Sequence, residues 1–263
     1  MRAAGIDIGS RTVKLVAVEA GGAIVHERVE EATFDPLKVC ARLVAEISVD
    51  AIVATGYGRH LFQRLAPGAE PITEIKAAAI GARAVMPGCR ALVDVGGQDT
   101  KVVALEPDGR VLKFAMNDRC AAGTGRVLEV MAAALAFTPA EFVSAALAAK
   151  RAERSSSMCA VFAESEVVSL VARGALRDEI ALGIHLAIAS RTAGLAGTVP
   201  LEGDVLFVGG GALNACLARE LGRALKLPLV VPRSPQTVAA YGAALHAIGS
   251  LTWAAERTGR KAK

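Results

Sequence analysis

The sequence predicts an α/β fold built from two duplicated lobes, and three observations carry that expectation. Strands and helices alternate along the chain, as a mostly parallel sheet with covering helices requires. A chain of 263 residues, 53% of them hydrophobic and with a mean hydropathy of +0.42, buries about three-quarters of its unfolded surface and sits where one core tends to split in two. The third observation is an internal repeat. Without gaps, Asp7 to Val25 (DIGSRTVKLVAVEAGGAIV) matches Asp94 to Leu112 (DVGGQDTKVVALEPDGRVL), sharing Asp, Gly, Lys, Val, Ala, Glu and Gly at equivalent places. The expected lobes are 1–90 with 233–263, and 91–232.

Each copy reads as a hairpin in which an apolar strand runs into Asp-x-Gly, a turn of small polar residues, a Lys and a second strand. A turn of that kind lets backbone N–H groups approach a phosphate that side chains would block. Gly9, Ser10 and Thr12 in the first copy, and Gly96 and Gly97 in the second, offer phosphate hydrogen bonds; Lys14 and Lys101 offer neutralising charge. One Asp-x-Gly is an ordinary turn, but a matched pair can grip a nucleotide triphosphate from both sides. Asp7 and Asp94 are then expected to face each other across a nucleotide cleft, their carboxylates toward the metal ion of the triphosphate.

The remaining elements follow in order. A helix opens at Asp35-Pro36, the strand Ala51 to Thr55 ends at Gly56-Tyr57-Gly58, and a helix from about Thr73 (TEIKAAAIGARAV) leads into the second hairpin. Thr138-Pro139 with Glu141 opens another helix. The segment DVLFVGGGALN is a strand running into Gly209, Gly210 and Gly211, followed by a helix from Ala215, the strand LPLVVP, and a last helix from Ser234-Pro235 (PQTVAAYGAALHAIG). The three X-Pro pairs each put a capping side chain before a proline at the first helical position. Two helices have nearly bare faces, Ala77, Ala78, Ala79, Gly81 and Ala82 on one and Ala239, Ala240, Gly242, Ala243 and Ala244 on the other, which suits either a close crossing of backbones or a plain alanine-rich core.

Composition narrows the function. No stretch reaches about 18 uninterrupted apolar residues and the N-terminus enters a strand directly, so a soluble, cytoplasmic protein with no membrane contact is expected. A net charge of +4 with 4% aromatics, and no basic stripe, argues against nucleic acid. Five cysteines at irregular spacing do not make a disulfide framework. Cys120, in NDRCAAGTGRVLEVMA, precedes a glycine turn and a helix, and Cys159, in MCAVFAESEVVSLVARG, stands at the start of another. A helix N-terminus carries about half a positive charge and favours a thiolate or an anionic cluster. Two thiolates do not complete a four-thiolate iron–sulfur site, whereas a symmetric dimer doubles two to four. Spacing alone leaves small core cysteines as the other reading.

The paired hairpins resemble those of the actin, heat-shock chaperone and sugar-kinase superfamily. That likeness implies an actin-like, ribonuclease H-like fold, adenosine against Gly209, Gly210 and Gly211, and a crossing of the two bare helices that answers to nucleotide state. The segments from Asn117 to Ala132, CAVFAESEVVSL and DVGGQDTK resemble more closely the ATP-dependent activators of 2-hydroxyacyl-CoA dehydratases and the related ATPase subunits of benzoyl-CoA reductases. The resemblance implies a homodimer with one bridging 4Fe-4S cluster, ligated by Cys120 and Cys159 of each subunit, and a partner dehydratase or reductase. It implies an electron from ferredoxin or flavodoxin, passed onward at the expense of ATP. Asp7 would hold Mg2+ through water, Asp94 would assist Mg2+ or the attacking water, and Gln98 would orient that water. Cys40, Cys89 and Cys216 are expected to be structural. One departure is Ala78, which stands where the family's connecting helix usually has a His. A small-molecule kinase and an actin-like or chaperone-like module are the readings from other classes.

Overall fold

The computed structural model of the protein describes residues 1–118, 123–153 and 163–258 and divides into two compact units. One comprises Met1–Cys89, Leu105–Val111 and Gln236–Lys263; the other comprises Arg90–Ala104 and Leu112–Pro235. Cys120 and Cys159, the expected cluster ligands, lie outside the described residues.

The first unit is built on the sheet β3-β2-β1-β4-β5. Its strands are β1 (Arg2–Ile8), β2 (Thr12–Glu19), β3 (Ile24–Glu31), β4 (Ala51–Thr55) and β5 (Glu70–Pro71). β1 pairs antiparallel with β2 and parallel with β4. The alternation of strand side chains divides the core in two. Ala4, Ile6 and Ile8 pack with Val39, Cys40 and Leu43 of α1 (Pro36–Ala45) and Phe62 of α2 (Arg59–Phe62). Ala3 and Val53 pack on the other face with Ala77 of α3 (Glu74–Val85) and Ala240, Ala243 and Ala244 of α9 (Val238–Thr258).

The two bare helices, α3 and α9, do approach closely. A Cβ on Gly242 would lie 1.8 Å from the Ala77 carbonyl oxygen, and one on Gly81 would lie 2.0 Å from that of Val238. The same stripe presses on the sheet, where a Cβ on Gly5 would lie 2.0 Å from the Ala240 carbonyl oxygen. Backbone therefore meets backbone at three points with no room for a side chain.

The second unit carries the sheet β10-β9-β6-β7-β8, with β6 (Ala91–Val95), β7 (Thr100–Leu105), β8 (Val111–Asn117), β9 (Val205–Val208) and β10 (Leu229–Val230). Here β6 pairs antiparallel with β7 and parallel with β9, the same relations that β1 has to β2 and β4. Its helices are α4 (Gly125–Ala134), α5 (Pro139–Ala148), α6 (Ala163–Ala172), α7 (Arg177–Ala196) and α8 (Ala215–Leu225). Val93, Val95 and Val102 pack against Leu128 and Met131 of α4, Ile180, Ile184 and Ile188 of α7, and Leu217 and Leu221 of α8. Each such aliphatic side chain contributes about 1.5–3 kcal/mol when fully buried. Among the described residues, no single helix is long and apolar enough to cross a membrane.

Local start signals were obeyed unevenly. Thr138 and Glu141 close a capping box, with the Thr138 hydroxyl accepting from the Glu141 N–H and the Glu141 carboxylate accepting from the Thr138 N–H at 2.8 Å. Asp35 occupies the N-cap of α1 but makes no side-chain cap bond; its carboxylate pairs with Lys38 at 3.5 Å. Ser234-Pro235 does not start the last helix, which begins at Val238. The reason is tertiary, because the Pro235 carbonyl accepts from the Gly209 N–H at 2.9 Å, which holds that segment in a turn.

Candidate functional site

In the first unit Asp7 sits at the end of β1, opposite Lys14 of β2 and in parallel register with Thr55 of β4. The Lys14 Nζ lies 3.0 Å from Asp7 Oδ2, and both side chains are largely buried. The turn between them closes through the Gly9 N–H, which donates to the Thr12 carbonyl at 3.1 Å; Ser10 is exposed and Thr12 half-buried. Gly56 follows Thr55 with φ +87°, and a Cβ there would lie 2.5 Å from Asp7 Oδ1. Gly58 is equally confined, since its Cβ would lie 2.4 Å from Ile8 Cγ2. The Arg59 guanidinium donates to the Gly56 carbonyl at 3.0 Å and fixes that turn.

The second unit repeats the arrangement. Asp94 faces Lys101 across β6 and β7 and stands in parallel register with Val208 of β9. The Gly96 N–H donates to the Asp99 carbonyl at 2.9 Å, and Asp99 and Lys101, both buried, form an ion pair at 2.6 Å. Gly209 has φ +82°, and a Cβ there would lie 2.2 Å from Asp94 Oδ1; one on Gly211 would lie 2.7 Å from Val95 Cβ. Gly210, exposed, opens the short 3-10 turn Gly210–Leu213. Gln98 is exposed at the tip of the hairpin loop, beside Gly97.

This second loop is also fastened to α4. The Gly125 and Arg126 N–H groups donate to the Gly96 and Gly97 carbonyls at 2.8 and 3.1 Å, and the Thr100 hydroxyl donates to the Gly123 carbonyl at 2.7 Å. Asn214, which caps α8 through its Oδ1, bonds His185 Nε2 at 2.9 Å, while His185 Nδ1 lies 2.7 Å from the Ala181 carbonyl. Burial, the largest influence, holds the His185 pKa below its ordinary value.

The structure thus gathers Asp7, Gly9, Thr12 and Lys14 around one strand end, and Asp94, Gly96, Lys101, Gly209 and Gly211 around another. The sequence did not single out Gly56 and Gly58 as counterparts of Gly209 and Gly211, nor the Thr100 tie. For the glycines the signal was present, a Gly-x-Gly after a short strand in both halves. Cys40 and Cys216 are buried thiols, pushed up to about 11 by burial; they stay protonated and fill core space, and Cys89 is buried as well. Among the described residues no group of three or more His, Cys, Asp or Glu is arranged to hold a metal ion.

A strand end that sets an acid beside a tight glycine turn suits a metal-bearing polyphosphate, and two such ends on related five-stranded sheets are the signature of the actin-like ATPases. Within that class the chain belongs to the BadF/BadG/BcrA/BcrD ATPase family, whose model it matches over residues 4–247. It is 41% identical to the activator of lactoyl-CoA dehydratase of Anaerotignum propionicum over 253 residues, which span 92% of this chain and 96% of that protein. The activator of the 2-hydroxyisocaproyl-CoA dehydratase from Clostridium difficile, solved with bound ADPNP, superposes with a TM-score of 0.90 at 35% identity, covering 98% of each chain. A benzoyl-CoA reductase component of Thauera aromatica is 31% identical, over 97% of this chain and 93% of its own length.

Proposed function

We propose that the chain binds ATP with Mg2+ at its two hairpins and uses hydrolysis to drive one-electron transfer, activating a 2-hydroxyacyl-CoA dehydratase. The observation that carries this reading is the tie between the second hairpin loop and α4. A change at Gly96 and Gly97 reaches Gly125 and Arg126 through two hydrogen bonds and one at Thr100 reaches Gly123 through a third, and Gly123 lies three residues after Cys120. A 4Fe-4S cluster supplies the one-electron chemistry in this proposal, and Cys120 and Cys159 of two copies of the chain supply its four thiolates. The names of the relatives support the choice of partner, since they are dehydratase activators.

Each described residue then has a role. Asp7 orients the hydrated Mg2+, Asp94 and Gln98 position the attacking water, and Lys14 and Lys101 lie where phosphate charge gathers. Gly9, Ser10, Thr12, Gly96 and Gly97 offer phosphate contacts, and Gly209, Gly210 and Gly211 a surface for the adenosine. The close crossing of α3 and α9 is the hinge in this account. The protein is cytoplasmic and takes its electron from ferredoxin or flavodoxin. The second reading, an ATPase component serving a benzoyl-CoA reductase or another double-cluster protein, is favoured by the match to the Thauera aromatica reductase component and differs only in the acceptor.

Anaerobic purification tests the proposal. The expected result is a brown dimer with about four irons that bleaches in air and oxidises in an ATP-dependent way when mixed with a dehydratase. Cys120→Ala and Cys159→Ala are each expected to abolish iron and colour while leaving folded protein. Iron that survives in both variants overturns the ligand assignment, and transfer of labelled γ-phosphate to a small molecule replaces the reading with that of a kinase.

A further inference from the structure

We propose that the Thr55 hydroxyl belongs to the cation site: it hydrogen-bonds the water shell of the divalent cation that accompanies ATP, which makes the first hairpin the cation-holding half. The inference rests on the ATP-binding reading above.

Thr55 is fully buried, and its Oγ1 has no hydrogen-bond partner. A buried hydroxyl with its bond unmade costs free energy that an apolar side chain of the same shape does not. The molecule itself shows that shape in use. Val208 holds the equivalent place in the second unit, in register with Asp94 as Thr55 is with Asp7, and valine differs from threonine by a methyl in place of the hydroxyl. Packing alone therefore gives no reason for Thr55.

Its surroundings give one. Paired residues of neighbouring strands share a face, so Thr55 and Asp7 lie side by side on the face that carries Ala3 and Val53. Asp7 Oδ2 is engaged by Lys14, while Oδ1 leans over Gly56, the residue directly after Thr55, where no Cβ fits. A water between a carboxylate oxygen and a hydroxyl has the polar partners that an ordered water needs, and waters of this kind surround Mg2+, which keeps several of them when it binds. Gly56 is the cradle: with a side chain there, Asp7 Oδ1 would be covered.

The experiment titrates Mg2+ against a fluorescent ATP analogue on the full chain, with thermal denaturation of each variant in the absence of nucleotide. Thr55→Val, which makes the first hairpin match the second, is expected to raise the Mg2+ concentration at half-maximal binding about tenfold, the size of one charge-assisted hydrogen bond. Its melting temperature without nucleotide is expected to equal or exceed that of the parent. Thr55→Ser restores the hydroxyl and is expected to stay within about twofold of the parent, and Val208→Thr is expected to leave the Mg2+ midpoint unchanged. A Thr55→Val chain with the parent's Mg2+ midpoint overturns the inference, and so does one that melts lower and loses binding equally at every Mg2+ concentration. A parent chain that binds no nucleotide at any Mg2+ concentration removes the ATP reading itself, which is a different failure.

Discussion

The two hairpins share a backbone and differ in their polar side chains. Both set Asp opposite Lys in the same register, both close the turn with a glycine N–H on the carbonyl three residues on, and both bring a left-handed glycine from the neighbouring parallel strand against the carboxylate. Every shared feature is one that a Cβ or a changed register would destroy. The differences lie where the backbone does not dictate the residue. Thr12 of the first copy is answered by Asp99, Val13 by Thr100, and Thr55 by Val208. The first loop is tied to the end of β3 through the Ala32 N–H and the Arg11 carbonyl, the second to α4. The comparison teaches that the duplication kept one backbone frame twice, and gave the second copy a loop carboxylate beside its lysine where the first has only the strand-end Asp7, together with a line to a helix. Substitutions that convert one copy into the other test that division.

The largest effect is expected at Asp99. Asp99→Thr gives the second loop the residue of the first and removes a carboxylate from buried Lys101. Removing one partner of a buried ion pair typically costs about 3–5 kcal/mol, so a loss near 3 kcal/mol in urea denaturation is expected. Thr12→Asp, made in a half-buried turn, is expected to change stability by well under half of that. Equal losses would show that the two loops are energetically alike and that the buried pair is incidental.

How much of this was legible in the sequence depends on whether the signal was local. The hairpins were, because seven identical residues recur in one ungapped frame, and the Thr138 capping box was, because its partners lie three residues apart. The Gly56-x-Gly58 and Gly209-x-Gly211 correspondence was not. The strands that lead into them share little beyond their glycines, and α4 to α7 are inserted ahead of the second copy alone. What makes them equivalent is contact with Ile8 and Val95, themselves matched positions of the repeat. The turn at Ser234-Pro235 was misread for the same reason, since its Gly209 partner is distant in sequence. Gly5 gave no signal at all, because nothing in a strand announces that a helix backbone will lie on it.

Catalysis separates the copies next. Asp7→Asn and Asp94→Asn both alter a strand-end carboxylate, and Gln98→Ala alters an exposed loop residue that has Arg11 as its counterpart. Asp94→Asn and Gln98→Ala are expected to lower ATP turnover at least tenfold, about 1.4 kcal/mol of transition-state stabilisation, with the nucleotide affinity little changed. Asp7→Asn is expected to weaken Mg2+-dependent binding as well. Identical binding and turnover profiles for the two Asp variants would remove the distinction between a cation-holding and a water-positioning half.

A smaller effect is expected at Thr100, whose counterpart is Val13. Thr100→Val removes one neutral hydrogen bond to the Gly123 carbonyl, about 1 kcal/mol, and keeps the shape. ATP hydrolysis is expected to continue, while the protection that nucleotide confers on the Gly125 and Arg126 amides from hydrogen exchange falls. Undiminished protection in the variant would mean that the two backbone bonds from α4 carry the whole connection.

The smallest effect concerns the anchors of the glycine turns, and pH reads it. Arg59 holds Gly56 through a guanidinium hydrogen bond to its carbonyl, whereas Asn214, at the end of the Gly210–Leu213 turn, is held by His185. Because Asn214 Oδ1 accepts from the Leu217 N–H, its amide nitrogen is the donor to His185 Nε2, and Nδ1 carries the proton toward Ala181. A second proton would sit on Nε2 and face that donor. Burial lowers the His185 pKa in the folded protein, outweighing the Ala181 carbonyl, Asn214 and Glu220, which raise it. Both states are neutral above the unfolded value of about 6.5, and the contribution to stability is then fully present. As pH falls through 6.5 the unfolded chain takes up the proton and the folded chain does not, so stability declines until the lower, folded pKa is passed. Urea midpoints measured from pH 8 to pH 5 are expected to show this decline in the parent, and His185→Phe, though less stable throughout, is expected to lack its share of the slope. A slope that persists unchanged in His185→Phe would place the acid sensitivity elsewhere, and the two glycine turns would then be anchored alike in the face of pH.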